Sequence, residues 1–150
     1  MTLTDALAAL QAAGKIQDWT EMGGLLLCSE HQPDGGFFRI CPGWNSYEDE
    51  IVEGRFGPTV RGEDWTELLD QPDVVLDDPA TIGCLLALLR EASDGHATCV
   101  PDGSDPQGGP YSGPWVCEFY YPSQPAYVSE IAPTEGEAIA AGLIALAEVA

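Results

Sequence analysis

Apolar residues recur at helical spacing in three stretches of this chain and alternate in strand fashion between them. Leu3, Leu7 and Leu10 form a stripe that predicts a helix over 3–13. Thr2 stands at its N-cap, Asp5 follows three residues on, and Gly14 suits the left-handed position past its end. A second helix is predicted over 79–93. Asp78 caps it, Pro79 takes the first helical position and Gly95 closes it. Ile82, Leu85, Leu86 and Leu89 share one face there, and Leu86 is expected to be buried against the C-terminal sheet. The third helix spans 135–149, with a Thr134/Glu137 capping box and a stripe of Ile139, Leu143 and Leu146.

Strand-like pieces lie between the first two helices at Leu25–Ser29, Phe37–Ile40 and Glu50–Glu53. The turn residues Asp34-Gly35-Gly36 make the first two a hairpin. Residues Asp64–Leu69 suit a short helical turn. Three more strands are expected at Ala97–Val100, Trp115–Tyr121 and Ala126–Ile131. In the second of these, Trp115, Cys117 and Phe119 alternate with Val116, Glu118 and Tyr120, the pattern of a strand with one buried face. The C-terminal half therefore reads α-β-β-β-α. The fold class is α+β, with helices packed on one face of an antiparallel sheet. One domain is expected over 1–150.

That C-terminal order resembles a double-stranded-RNA-binding domain in topology. Such domains bind through basic residues, and this chain has no Lys or Arg after Arg90. The stretches from Asp77 to Ala92 and from Thr134 to Glu148 also resemble those of small acidic accessory proteins encoded by bacteriophages. That second resemblance covers about a fifth of the chain and implies no particular function.

Charge changes the picture most. Twenty-five Asp and Glu stand against five Lys and Arg, giving a formal net charge of −20 on 150 residues. Clustered cations are needed to neutralise phosphates or to sit on an anionic leaflet, so direct nucleic-acid and membrane binding are not expected. No apolar stretch is long enough to span a bilayer, and the N-terminus lacks the basic region of a signal peptide. A soluble protein of the host-cell cytoplasm is expected, with a basic protein surface as its natural partner.

Two cysteine–histidine groupings have the residue types of a metal site: Cys28, His31 and Cys41, and His96, Cys99 and Cys117. Each offers three ligands where structural zinc takes four, and neither contains a Cys-x-x-Cys knuckle. Cys28, Cys99 and Cys117 fall in apolar runs, where Cys behaves as a small hydrophobe. All five cysteines are therefore expected to be buried thiols, without metal or other cofactor. No phosphate-binding loop and no Gly-x-Ser-x-Gly turn is present, so no catalytic residue is assigned and the balance is against an enzyme.

The densest acidic region, from Glu48 to Asp78, interleaves carboxylates with aromatic residues. Glu48, Asp49, Glu50, Glu53, Glu63, Asp64 and Trp65 are the candidate partner-binding residues. A nucleic-acid mimic is one use of such a face. A folded chain of this size exposes on the order of 7,000 Å², so its net charge averages about one per 350 Å². A DNA cylinder carries about one per 100 Å². Mimicry therefore requires the carboxylates to gather on one face. The expected function is that of a non-catalytic binding protein, and its most specific form is a phage-type, anti-CRISPR-like inhibitor of a host nucleic-acid-handling or defence machine. The alternatives are a virion accessory protein and a domain that sequesters or hydrolyses a small molecule.

Overall fold

The structure is a computed structural model. It describes residues 1–19, 24–28, 37–41, 51–54, 57–61, 73–93, 95–103, 111, 113–120 and 127–149, with backbone alone at 37–39, 41, 51–54, 57–61 and 127. Among these residues the chain is α+β, with three helices and two sheets. Its contacts divide it into two units, Met1–Gln17 with Leu85–Ala150, and Asp18–Cys84. The boundary falls within the second helix. No helix among the described residues is long and apolar enough to cross a membrane.

Helix α1 (Leu3–Ala12) is fixed at both ends by local chemistry. Thr2 Oγ1 accepts from the Asp5 N–H at 3.1 Å, and Asp5 Oδ2 accepts from the Thr2 N–H at 3.3 Å, which completes a capping box. At the far end Gly14 takes φ +71°. Its N–H donates to the Gln11 carbonyl at 3.0 Å, and that of Lys15 to Leu10 at 2.9 Å. This pair of bonds is a Schellman motif, which a residue with a Cβ would strain. Ala6, Leu7 and Leu10 are the buried side chains, and Leu3 lies at the margin.

In the unit formed by 18–84, strand β1 (Leu26–Cys28) pairs antiparallel with β2 (Phe37–Cys41), so the predicted hairpin pairing is present. β3 (Ile51–Gly54) and β4 (Gly57–Arg61) are also antiparallel, and β5 (Asp73–Val74) borders β1. The order is β3-β4-β2-β1-β5, and the β2·β4 pair is parallel. β4 and β5 were not expected. Gly57-Pro58 reads as a chain breaker, and two residues are too few for alternation to register. The expected turn at 64–69 lies outside the described residues.

Helix α2 (Pro79–Ala92) begins in this unit. Asp78 Oδ2 accepts from the Thr81 N–H at 3.0 Å and from the Thr81 hydroxyl at 2.8 Å, as an N-cap should. The same hydroxyl accepts the Leu26 N–H at 2.9 Å, tying β1 to the start of the helix. The buried face is Thr81, Leu85, Leu88, Leu89 and Ala92. Leu86 is only half-buried and Leu88 is buried in its place, which corrects the expected phase of the helix. Every position from Leu85 to Leu89 is apolar, so periodicity alone cannot choose the face.

The other unit holds the antiparallel sheet β6 (Thr98–Pro101), β7 (Trp115–Tyr120) and β8 (Tyr127–Ala132), with β7 central. Helix α3 (Glu135–Val149) lies across all three strands, and α1 packs on α3. Helix α3 is therefore covered on both sides. Its buried set extends beyond the predicted stripe to Gly136, Ala138, Ala140, Gly142 and Ala147. Small residues let neighbours approach. A Cβ at Gly142 would lie 3.0 Å from Phe119 Cε1, 3.3 Å from Cys117 Sγ and 3.5 Å from Leu89 Cδ1. Thr134 starts the helix, accepting from the Glu137 N–H at 3.3 Å while its hydroxyl donates to Glu137 Oε2 at 3.0 Å.

Candidate protein-docking face

Period-two alternation puts Cys117 and Phe119 on the helix-covered face of the sheet and Val116, Glu118 and Tyr120 on the other. The register extends the second face into rows. Val100, Val116 and Ile131 lie side by side across the three strands, and Thr98, Glu118 and Ser129 form the next row. Val100, Tyr120 and Ile131 are 44%, 48% and 61% exposed, the largest apolar exposures outside the chain ends among the described residues. The apolar row ends in an open hollow of about 420 Å³ lined by Gly113, Pro114, Ile131, Ala132 and Pro133. Tyr111 borders this end of the sheet. Its ring meets Trp115 edge-on with centroids 5.9 Å apart, and its hydroxyl donates to the Pro114 carbonyl.

Glu118 places a carboxylate in the middle of this face. Asp102, directly after β6, is exposed at its end, with its N–H donating to the Pro114 carbonyl at 2.8 Å. The sheet and its connections contain no Lys or Arg, because the last cation in the sequence is Arg90. Arg90 Nε donates to the Ala97 carbonyl at 3.1 Å, a structural task at the start of β6. The face thus combines an apolar row, exposed at Val100 and Ile131, with carboxylates and no cation from its own strands or connections. That combination suits a protein surface carrying apolar groups among cations.

The predicted partner-binding residues are only partly placed. Glu53 lies on β3, opposite Pro58 of β4, and its backbone alone is described. Glu48, Asp49, Glu50, Glu63, Asp64 and Trp65 lie outside the described residues. The surface area is 8122 Å², so the net charge of −20 averages about one per 400 Å². A DNA-like density of about one per 100 Å² still requires carboxylates to be concentrated locally.

Of the two cysteine–histidine groupings, the first falls largely outside the described residues, which include the half-buried Cys28 but neither His31 nor the Cys41 side chain. In the second, His96 is exposed ahead of β6, while Cys99 and Cys117 face each other across β6 and β7. No group of three potential metal ligands forms among the described residues. The described cysteines are thiols, but only Cys117 is fully buried, and Cys28, Cys84 and Cys99 are half-buried. This corrects the expectation that all are core thiols. Strand edges and helix margins leave part of each side chain accessible.

Burial pushes the Cys99 thiol up to about 11, with the Glu135 charge adding to it and the hydrogen bond from Cys117 opposing it. Burial also pushes Cys117 up to about 12, reinforced by Cys99, Glu130, Glu118 and its own hydrogen bond to Cys99. Both thiols are therefore protonated at neutral pH. Cys99 Sγ lies 3.8 Å from the Glu135 carbonyl, which accepts its S–H.

No family model matches the chain, and neither a curated protein nor a solved structure is similar to it.

Proposed function

We propose that this chain is a non-catalytic binding protein that acts inside the cell by docking on a basic protein surface. The observation that carries this reading is the sheet face of Val100, Val116 and Ile131 with Glu118 at its centre, where Val100 and Ile131 are exposed and the strands and their connections contain no Lys or Arg. Apolar side chains supply the area that binding buries, and the carboxylates steer a positive partner towards it. The acidic segment around Glu48, Asp49, Glu50, Glu53, Glu63, Asp64 and Trp65 extends the same chemistry. Proteins that handle nucleic acid carry basic channels of this complementary kind. The specific form of the proposal is an inhibitor of the type phages direct at a host nuclease or defence complex.

The test is capture by purified nucleic-acid-handling complexes, followed by interferometry and by their cleavage activity. Wild-type protein is expected to bind and to inhibit, with association slowing as salt rises. Ile131→Ser with Glu118→Gln should weaken capture at least tenfold. Glu148→Gln on α3, a comparable exposed carboxylate, should change it little. Neutralising Glu48, Asp49, Glu50 and Glu53 together should act mainly on the association rate. The protein itself should show no binding to short DNA or RNA duplexes at physiological salt. Equal losses in the sheet-face and Glu148 variants would reduce the effect to bulk charge. Absence of any captured basic complex would overturn the reading.

A further inference from the structure

The Cys99–Cys117 pair has a geometry that carries its own chemistry, independent of any docking partner. In the β6·β7 register, Cys99 is directly opposite Cys117. Hydrogen-bonded and non-hydrogen-bonded pairs alternate along an antiparallel ladder. The Asp102 N–H donates to the Pro114 carbonyl, which fixes that opposed pair as hydrogen-bonded. Counting back along the strands, Val100 and Val116 form the next hydrogen-bonded pair, and Cys99 and Cys117 a non-hydrogen-bonded one. Opposed Cα atoms at such positions are about 4.5 Å apart and their side chains are at their closest. A disulfide needs Cα atoms about 4.4–6.8 Å apart, so no strand has to move to make one. The other described cysteines sit elsewhere: Cys28 is opposite Phe37, and Cys84 Sγ lies 3.0 Å from where a Gly24 Cβ would be.

We infer that Cys99 and Cys117 form a thiol-modification site, a dithiol that closes to an intramolecular disulfide by exchange with a low-molecular-weight disulfide. Cys99 is the attacking residue. It is half-buried while Cys117 is fully buried. Above neutral pH, where a larger share of Cys99 is ionised, its Sγ attacks one sulfur of the small disulfide and breaks its S–S bond. The departing thiolate takes up the proton that Cys99 gave up. Cys117 Sγ then attacks Cys99 Sγ in the mixed disulfide, the bond to the small thiol breaks, and the second small thiol leaves with the proton of Cys117. Two electrons pass from the cysteine pair to the small disulfide, which becomes two thiols. The product joins edge strand β6 to central strand β7 beside the start of α3.

The experiment uses the full chain in buffers of oxidised and reduced glutathione, quenched with acid, alkylated and digested at acidic residues for mass spectrometry. The expected result is the joint loss of the Cys99 and Cys117 thiols with two hydrogens lost from the mass. The two peptides should be cross-linked, and dithiothreitol should restore both thiols. The melting temperature should rise on oxidation, and Cys99→Ser should abolish both the cross-link and the rise. Persistent glutathione on Cys99 without closure would overturn the inference. So would oxidation confined to Cys28, Cys41 or Cys84, or a pair that stays reduced when the denatured chain oxidises fully. The wild-type mapping decides the matter even if a Cys117 variant does not fold.

Discussion

The Thr81 hydroxyl donates at 2.8 Å to the carboxylate of Asp78, and neither residue is more than 2% exposed. Thr81 also accepts the Leu26 N–H, so one hydroxyl serves both a helix cap and a strand. Thr81→Val keeps the shape and removes both bonds. It should cost ~1–3 kcal/mol, the range for stranding buried polar groups. Thr81→Ser keeps the hydroxyl and should cost clearly less. Urea denaturation of both variants checks this, and equal losses would show that the hydroxyl does not matter.

Two helical glycines should respond in opposite directions to the same change. Alanine in a helix interior is normally favoured over glycine by about 1 kcal/mol. Gly83 has open space beyond its Cα, so Gly83→Ala should stabilise the protein by roughly 0.5–1 kcal/mol. At Gly142 the added carbon would press on the Phe119 ring and on Cys117 Sγ beneath it. Overpacking should prevail there, and Gly142→Ala should destabilise by ~1–3 kcal/mol. Thermal melts of the two variants side by side make the comparison.

Leu88→Ala should cost ~2–5 kcal/mol, as deletion of a buried leucine does. Leu88 is fully buried, whereas Leu86 on the adjoining face is half-buried. Leu86→Ala should therefore cost less than Leu88→Ala. The reverse order in denaturant midpoints would restore the phase that periodicity first suggested.

The buried thiols predict a loss of stability in alkali. Folding raises Cys99 from 9.0 to about 11 and Cys117 from 9.0 to about 12. Between those limits the folded state holds protons that the unfolded state has released. The contribution is complete below pH 9 and is lost as pH rises through about 11 and 12. Wild-type melting temperature under reducing conditions should fall more steeply above pH 9 than that of a Cys99→Ala, Cys117→Ala double variant. Parallel curves would contradict the assigned burial.

The helices were legible in the sequence because their ends are set by neighbours in the chain. Thr2 with Asp5, Asp78 with Thr81, and Thr134 with Glu137 each act over three residues. Strand β7 was legible because its residues alternate, with Cys117 and Phe119 under α3 and Glu118 and Tyr120 on the other face. The role of α3 as a middle layer was not drawn from the sequence, although Ala138, Ala140, Gly142 and Ala147 around its circumference carried the signal. Sheet partnerships resist the same treatment. Nothing local in Phe37–Cys41 announces a parallel neighbour at Gly57–Arg61. The Cys99–Cys117 contact depends on a register that the long connection between the strands does not dictate. Among the proposed docking residues, Val100, Val116 and Ile131 are ordinary apolar strand positions, and only the pairing of three strands makes them a row.

Helix α3 covers α1 and is synthesised long after it. At translation rates of about 5–20 residues per second, α1 waits roughly ten seconds for the layer it rests on. Through that interval the apolar side of Ala6, Leu7 and Leu10 has no native cover from α3. A short helix is marginal by itself in water, so its capping box and Schellman turn preserve a nascent shape that awaits completion. The unit that joins Met1–Gln17 to Leu85–Ala150 must therefore close late, once Glu135–Val149 has left the ribosome. Pulse proteolysis of stalled nascent chains lacking residues 135–149 should find α1 as accessible as an unfolded segment.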